Sequence, residues 1–153
     1  MSMTVGERLR EMRETAQLTQ KELAKRTGVS QPKISAYERG VVTPSPTTID
    51  RIEREARLRP SEMLERFADE ILETARLFHV TEVRVFGSSV HGTDDRASDV
   101  DLLVTLSDEG SLLDLSGFAA AAENLLGYPV DVVSDRAQPS RVMDRIRAEA
   151  VLL

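Results

Sequence analysis

Two aspartates flanking a valine, Asp99-Val100-Asp101, are separated by ten residues from a Gly-Ser pair, Gly87-Ser88, in the stretch VRVFGSSVHGTDDRASDVDLLV (Val83 to Val104). In an extended strand alternate side chains share a face, so the two carboxylates point one way while Val100 points the other, into a core. Like charges that close are costly unless a cation or a proton relieves them. Magnesium suits such a pair, because it takes one or two carboxylates and completes its shell with water and substrate phosphates. Two such ions about 3.5–4 Å apart can assist both the attacking and the leaving oxygen of a displacement. Upstream, a β-prone run from Val83 to Phe86 meets Gly87, which reaches backbone angles closed to other residues, and Ser88, which with neighbouring N–H groups can hold phosphate oxygens. Strand, phosphate-holding turn, short connection and a strand with two carboxylates together describe a nucleoside-triphosphate site.

At these residues the chain resembles the nucleotidyltransferase superfamily that shares its fold with DNA polymerase β, and within it the minimal nucleotidyltransferases that act as antitoxins. Their signature, Gly-Ser, ten residues, Asp-x-Asp, is met by Gly87, Ser88, Asp99 and Asp101. The resemblance implies a third carboxylate on a neighbouring strand, for which Asp131 in Tyr128-Pro-Val-Asp-Val-Val133 is the candidate. It also implies roles. Gly87 and Ser88 hold the triphosphate of ATP; Asp99, Asp101 and Asp131 bind magnesium, two ions being expected; Ser88 joins the three aspartates as the catalytic set. In that family the antitoxin transfers AMP to a tyrosine hydroxyl of a HEPN-type toxin, an α-helical ribonuclease, and silences it. Deprotonating that hydroxyl is a task open to Asp131. No large substrate-binding domain follows the third carboxylate, so the second substrate is expected to arrive on a partner.

Those residues occupy the second half of a chain of 153 residues, a length that fits one domain or two small ones with aliphatic cores, at 41% hydrophobic and 4% aromatic. The absence of cysteine excludes disulfides and thiolate metal sites. No apolar run approaches the roughly 20 residues of a membrane span, and no signal-peptide pattern opens the chain, so a soluble cytoplasmic protein is expected. Charge is divided unevenly: residues 1–65 carry 12 Lys and Arg against 10 Asp and Glu, whereas residues 66–153 carry 8 against 16. All the lysines, Lys21, Lys25 and Lys33, lie in the first half, which suggests either an anionic partner there or simply the joining of two unrelated surfaces.

The first half reads as short helices. Val5, Leu9, Met12 and Ala16 recur at helical spacing. Thr19 with Glu22 forms a capping box that starts a second helix near Gln20, which stops near Gly28; Ser30 caps a third, with Pro32 in its first turn and Gly40 at its end. Two short helices about a tight turn make a helix-turn-helix, with Leu23, Val29 and Ile34 as its apolar contact. Leu18 to Gly40, LTQKELAKRTGVSQPKISAYERG, resembles the Cro and phage-repressor class, the XRE-like family. That resemblance implies operator-DNA binding through Gln20, Gln31, Pro32, Lys33, Ser35 and Arg39, a homodimer on half-sites about 34 Å apart, and a structural pair between Arg13 and Glu38. Proline at position 32 departs from the usual polar residue and offers only apolar contact.

From Val41 to Thr48 the sequence is loop, with Thr47 or Thr48 capping a fourth helix to about Arg57. A single long helix is expected from Ser61 to about His79, its first half closing the DNA-binding domain and its second half lying beside a sheet. Domains of 1–65 and 66–153 follow. Further elements are a helix from Ser111 to Leu126, a strand from Val130 to Val133 and a final helix from Pro139 to Leu153. The fold class is therefore two domains, an all-α helix-turn-helix followed by an α/β (α+β) nucleotidyltransferase fold with a small mixed sheet flanked by helices. His91 reads either as a phosphate contact or as a helix-surface residue, and Arg96 as a phosphate contact or an exposed loop arginine; His79 reads as a helix end and Asp94-Asp95 as a solvated loop.

The functional expectation is an AMP-transferring antitoxin that represses its own promoter. Its alternatives are a DNA-binding antitoxin that neutralises its partner by binding alone, and a nucleotidyltransferase acting on a small molecule or nucleic acid.

Overall fold

A computed structural model describes residues 2–153, and the chain divides after Leu58 into two compact units. The first contains α1 (Val5–Thr15), α2 (Gln20–Thr27), α3 (Gln31–Glu38) and α4 (Pro46–Ala56). Thr4 and Thr19 close capping boxes with Glu7 and Glu22, so the first orphan N–H groups of α1 and α2 are satisfied locally. Gly28 ends α2 at φ 71°, a left-handed value, and the Thr27 hydroxyl donates to the Leu23 carbonyl and accepts from the Val29 N–H. The tight turn between α2 and α3 is thus held from inside. Leu9, Leu18, Leu23, Val29, Ile34, Ile52 and Leu58 form the core. α4 begins earlier than expected: Ser45 is the cap, its hydroxyl accepting from the Thr48 N–H, and Pro46 takes the first helical position, where no N–H is needed.

In the second unit the expected long helix is two, α5 (Pro60–Arg66) and α6 (Ala68–Leu77), interrupted at Phe67 with φ −111° and ψ 22°. Both belong to this unit: Leu64 of α5 is buried with Ile71 and Ala75 of α6 in the sheet's core. Then follow β1 (Val80–Phe86), α7 (Ser88–His91), β2 (Val100–Leu106), α8 (Leu112–Leu126), β3 (Val130–Ser134), α9 (Arg141–Glu149) and β4 (Val151–Leu152).

The sheet order is β3-β2-β1-β4, with β2 and β3 parallel and the other pairs antiparallel, so it is the mixed sheet expected. α8 is the crossover that parallel neighbours require. Val83, Val100, Leu102 and Val104 point to one face, where α6 and α8 add Ile71, Ala75, Phe118, Ala122 and Leu126. Fully burying a side chain such as Leu102 or Phe118 contributes about 1.5–3 kcal/mol. On the opposite face Phe86 and Leu103 meet Met143, Ile146 and Ala150 of α9 and its end. The final helix stops at Glu149 instead of running to Leu153, because Val151 and Leu152 pair with Val85 and Arg84 of β1. β-branched and aliphatic residues on a free sheet edge gain a ladder that a helix end could not offer. No helix among the described residues is long and apolar enough to cross a membrane.

Candidate functional site

The alternation read from Asp99-Val100-Asp101 is what β2 shows: Val100 is fully buried, while Asp99, just ahead of the strand, is exposed and Asp101 is half-buried. Asp101 lies on the face covered by α9, opposite Phe86 of β1 on one side and Asp131 of β3 on the other. Neighbouring strands are about 4.8 Å apart, so two carboxylates at one register position come within reach of one ion. Burial first, then the charges of Asp131, Asp99 and Glu149, push the Asp101 carboxyl above its ordinary value.

β1 ends at Phe86 and delivers Gly87 to the same place. Gly87 has φ 77° and ψ −153°, a region open in practice to glycine alone, and a Cβ there would overlap the Asp101 carboxylate. Ser88 opens α7, whose return is tied by the Thr93 N–H donating to the Ser88 carbonyl at 3.2 Å. The five residues Gly87, Ser88, Asp99, Asp101 and Asp131, scattered over 45 positions of sequence, therefore meet where the ends of β1, β2 and β3 adjoin.

The bonding of the acidic groups separates site from scaffold. Asp94, expected in solvated loop, is buried; its Oδ2 accepts from the Ser61 N–H at 2.8 Å and so anchors the loop to the start of α5. Asp95 accepts from the Ala97 N–H, Asp114 caps α8 at Ser111, and Asp135 accepts from the Thr105 hydroxyl. By contrast the structure gives Asp99, Asp101 and Asp131 no hydrogen-bond or ion-pair partner among the described residues. Adjacent unpartnered carboxylates, one of them pushed above its ordinary value by burial and then by its neighbours, are a donor set whose repulsion a divalent cation would relieve. Among the described residues no three acidic or histidine groups are grouped so that they could hold a metal ion by themselves. An open set of this kind is what magnesium shared with phosphate oxygens and water uses.

One residue of the site had no sequence signal. Glu149, at the end of α9, accepts a hydrogen bond from the Gly87 N–H at 2.7 Å, and that bond holds its carboxyl below its ordinary value. His91 faces Glu149, Nε2 to Oε2 3.7 Å. Arg96 is half-buried in the turn before β2. His79 stands at the end of α6 with φ 57°, its Nδ1 3.2 Å from Asp114 Oδ1.

In the first unit Pro32, Lys33 and Arg39 are exposed on α3 and its end, whereas Gln20, Gln31 and Ser35 are half-buried. The Gln31 amide donates to Gln20 Oε1 at 2.8 Å, and the Gln20 amide donates to Glu38 Oε2 at 2.9 Å. Arg13 grips the same Glu38 with two bonds of 2.7 and 3.1 Å. A chain of side chains from α1 to α3 thus orients Gln31 at the start of the helix expected to enter the major groove.

Residues 64–151 match the family model described as a nucleotidyltransferase domain, and residues 4–67 match one described as a helix-turn-helix domain. Over 72 residues the chain is 36% identical to a protein of Methanocaldococcus jannaschii described as a protein adenylyltransferase, a span of 47% of this chain and 77% of that one. Over 74 residues it is 38% identical to the protein adenylyltransferase MntA of Thermococcus cleftensis, 48% of this chain and 75% of the other. A solved structure described as a minimal nucleotidyltransferase overlays with a TM-score of 0.55 at 35% identity, covering 61% of this chain and 95% of that one.

Proposed function

The chain belongs to the nucleotidyltransferase domain family and carries a helix-turn-helix domain ahead of it, and from this we propose that it is an antitoxin that transfers AMP from ATP to a tyrosine hydroxyl of a HEPN-type toxin and represses its own promoter. The observation that carries the transfer is the trio Asp99, Asp101 and Asp131, unpartnered among the described residues and gathered beside the Gly87-Ser88 turn. A module that only bound its partner would have no use for three mutually repelling carboxylates. The two relatives described as protein adenylyltransferases support the choice of AMP as the group moved and of a protein as acceptor.

In the reaction the Gly87-Ser88 turn holds the triphosphate, and the tyrosine oxygen attacks the α-phosphorus. The new phosphorus–oxygen bond forms as the bond to the bridging oxygen of pyrophosphate breaks; Asp131 takes the hydroxyl proton, and pyrophosphate leaves with the bonding electrons. Magnesium ions held by Asp99, Asp101 and Asp131 would supply charge neutralisation on the triphosphate and the departing pyrophosphate.

Intact-mass spectrometry of the adjacent gene's product tests this, after incubation with the chain, ATP and magnesium, beside an Asp99→Ala, Asp101→Ala control. A gain of one or more AMP units, absent from the control, is expected. No gain together with a stable complex of the two proteins would transfer the assignment to neutralisation by binding alone.

For the promoter, the exposed Lys33 and Arg39 beside an oriented Gln31 support DNA recognition by α3. A footprint over an inverted repeat upstream of the chain's own gene is the expected result.

A further inference from the structure

Glu149 is out of place on electrostatic grounds. It is a fourth negative charge close enough to Asp101 to raise that group's pKa, beside a site assigned to a polyanion. Charge alone makes it unfavourable there, so the bond it makes has to be worth having. That bond is to the Gly87 N–H, at 2.7 Å.

Gly87 is the residue in need of such a hold. Its backbone lies in a region open in practice to glycine alone, and a glycine, with no Cβ to confine it, is equally free to leave that region. Asp101 packs against the face where a Cβ would stand, and Glu149 fixes the N–H. The second carboxylate oxygen faces His91, the last residue of α7, so one side chain reaches both ends of the segment from Gly87 to His91. Glu149 is itself anchored. The chain immediately after it pairs with β1, Val151 against Val85, and the Leu153 N–H donates to the Val83 carbonyl at 3.0 Å. The strand that ends at Phe86, just before Gly87, and the strand that follows Glu149 are thus hydrogen-bonded neighbours.

We propose that Glu149 is a positioning residue that locks the Gly87-Ser88 turn in its phosphate-accepting conformation. The proposal rests on the reading of this turn as the triphosphate site. The hydrogen bond, not the charge, is the working part, which separates two substitutions: Glu149→Gln keeps an acceptor for the Gly87 N–H and removes the charge, whereas Glu149→Ala removes both.

The test is made on the full-length protein with two readouts. Amide hydrogen exchange at Gly87 without nucleotide should be slow in the wild type and in Glu149→Gln, and at least tenfold faster in Glu149→Ala at unchanged melting temperature. The KM for ATP in AMP transfer, with magnesium present, should rise tenfold or more in Glu149→Ala and stay within threefold of the wild type in Glu149→Gln, with kcat changed less than KM in both. A Glu149→Gln variant as impaired as Glu149→Ala would overturn the proposal in favour of a role for the charge. Wild-type KM and exchange in Glu149→Ala would overturn it outright. A wild-type protein that neither binds nor uses ATP, with Gly87 still protected, would instead remove the triphosphate reading and with it the purpose of the lock.

Discussion

Asp101 is pulled in opposite directions by folding and by chemistry. Its pKa lies above the ordinary value through burial and through Asp131, Asp99 and Glu149. A carboxylate whose folded pKa is raised takes stability away as pH climbs from its unfolded value through the folded one, and the loss persists at neutral pH unless a cation offsets it. Asp101→Asn should therefore raise the melting temperature of the metal-free protein at pH 7, while transfer falls about 100-fold or more, the scale of losing one electrostatic stabiliser of a transition state. A lower melting temperature would mean that the ionised form is favourable and the site differently built. Asp114 behaves in the opposite way. The Ser111 N–H, then the Ser111 hydroxyl and His79, hold its pKa below the ordinary 3.8. Its contribution is present above that unfolded value and lost as pH falls through the lower folded one. Urea unfolding at pH 7 and at pH 3 should show a smaller acid loss in Asp114→Asn than in the wild type.

At the scale of elements, two carboxylates act as ties between segments. Asp94 joins the loop that leads into β2 to the start of α5 through the Ser61 N–H. Since the residue is buried, Asp94→Ala strands a backbone donor and should cost about 1–3 kcal/mol. Chemical denaturation would check this, and a change below about 0.5 kcal/mol, the range of ordinary surface substitutions, would show that water replaces the carboxylate freely. The break at Phe67 and the short α9 have a common cause. Apolar spacing continues through Met63, Leu64, Phe67, Ile71 and Leu72, so periodicity alone extends one helix across the break that the backbone makes at Phe67. At the other end an amphipathic pattern runs on into Val151 and Leu152, where the open edge of β1 wins.

For the whole molecule, charge is uneven: the lysines lie only in the helix-turn-helix half, and the excess of carboxylates lies in the nucleotidyltransferase half. Recognition of DNA and transfer of AMP should be separable. Lys33→Ala should weaken operator binding and, if the side chain meets a phosphate, reduce the slope of log affinity against log salt by about 1. AMP transfer should be unchanged, as read by intact mass. Equal loss of both activities in Lys33→Ala would mean that the halves do not work independently.

The motif from Gly87 to Asp101, the capping box at Thr19 and the buried trio Leu23, Val29 and Ile34 were legible in the sequence, because each rests on spacing within a short stretch, and the mixed sheet with its helices followed from the order of strands and helices together with the family resemblance. The register that sets Asp131 directly beside Asp101, the burial of Asp94 against α5, and the bond from Gly87 to Glu149 were decided only by the tertiary structure. These join residues 30, 33 and 62 positions apart, and no local period or propensity reports which distant strand, helix start or helix end will come to lie against a given turn. Strand order and core packing do that, and in this chain they turn a legible motif into a site.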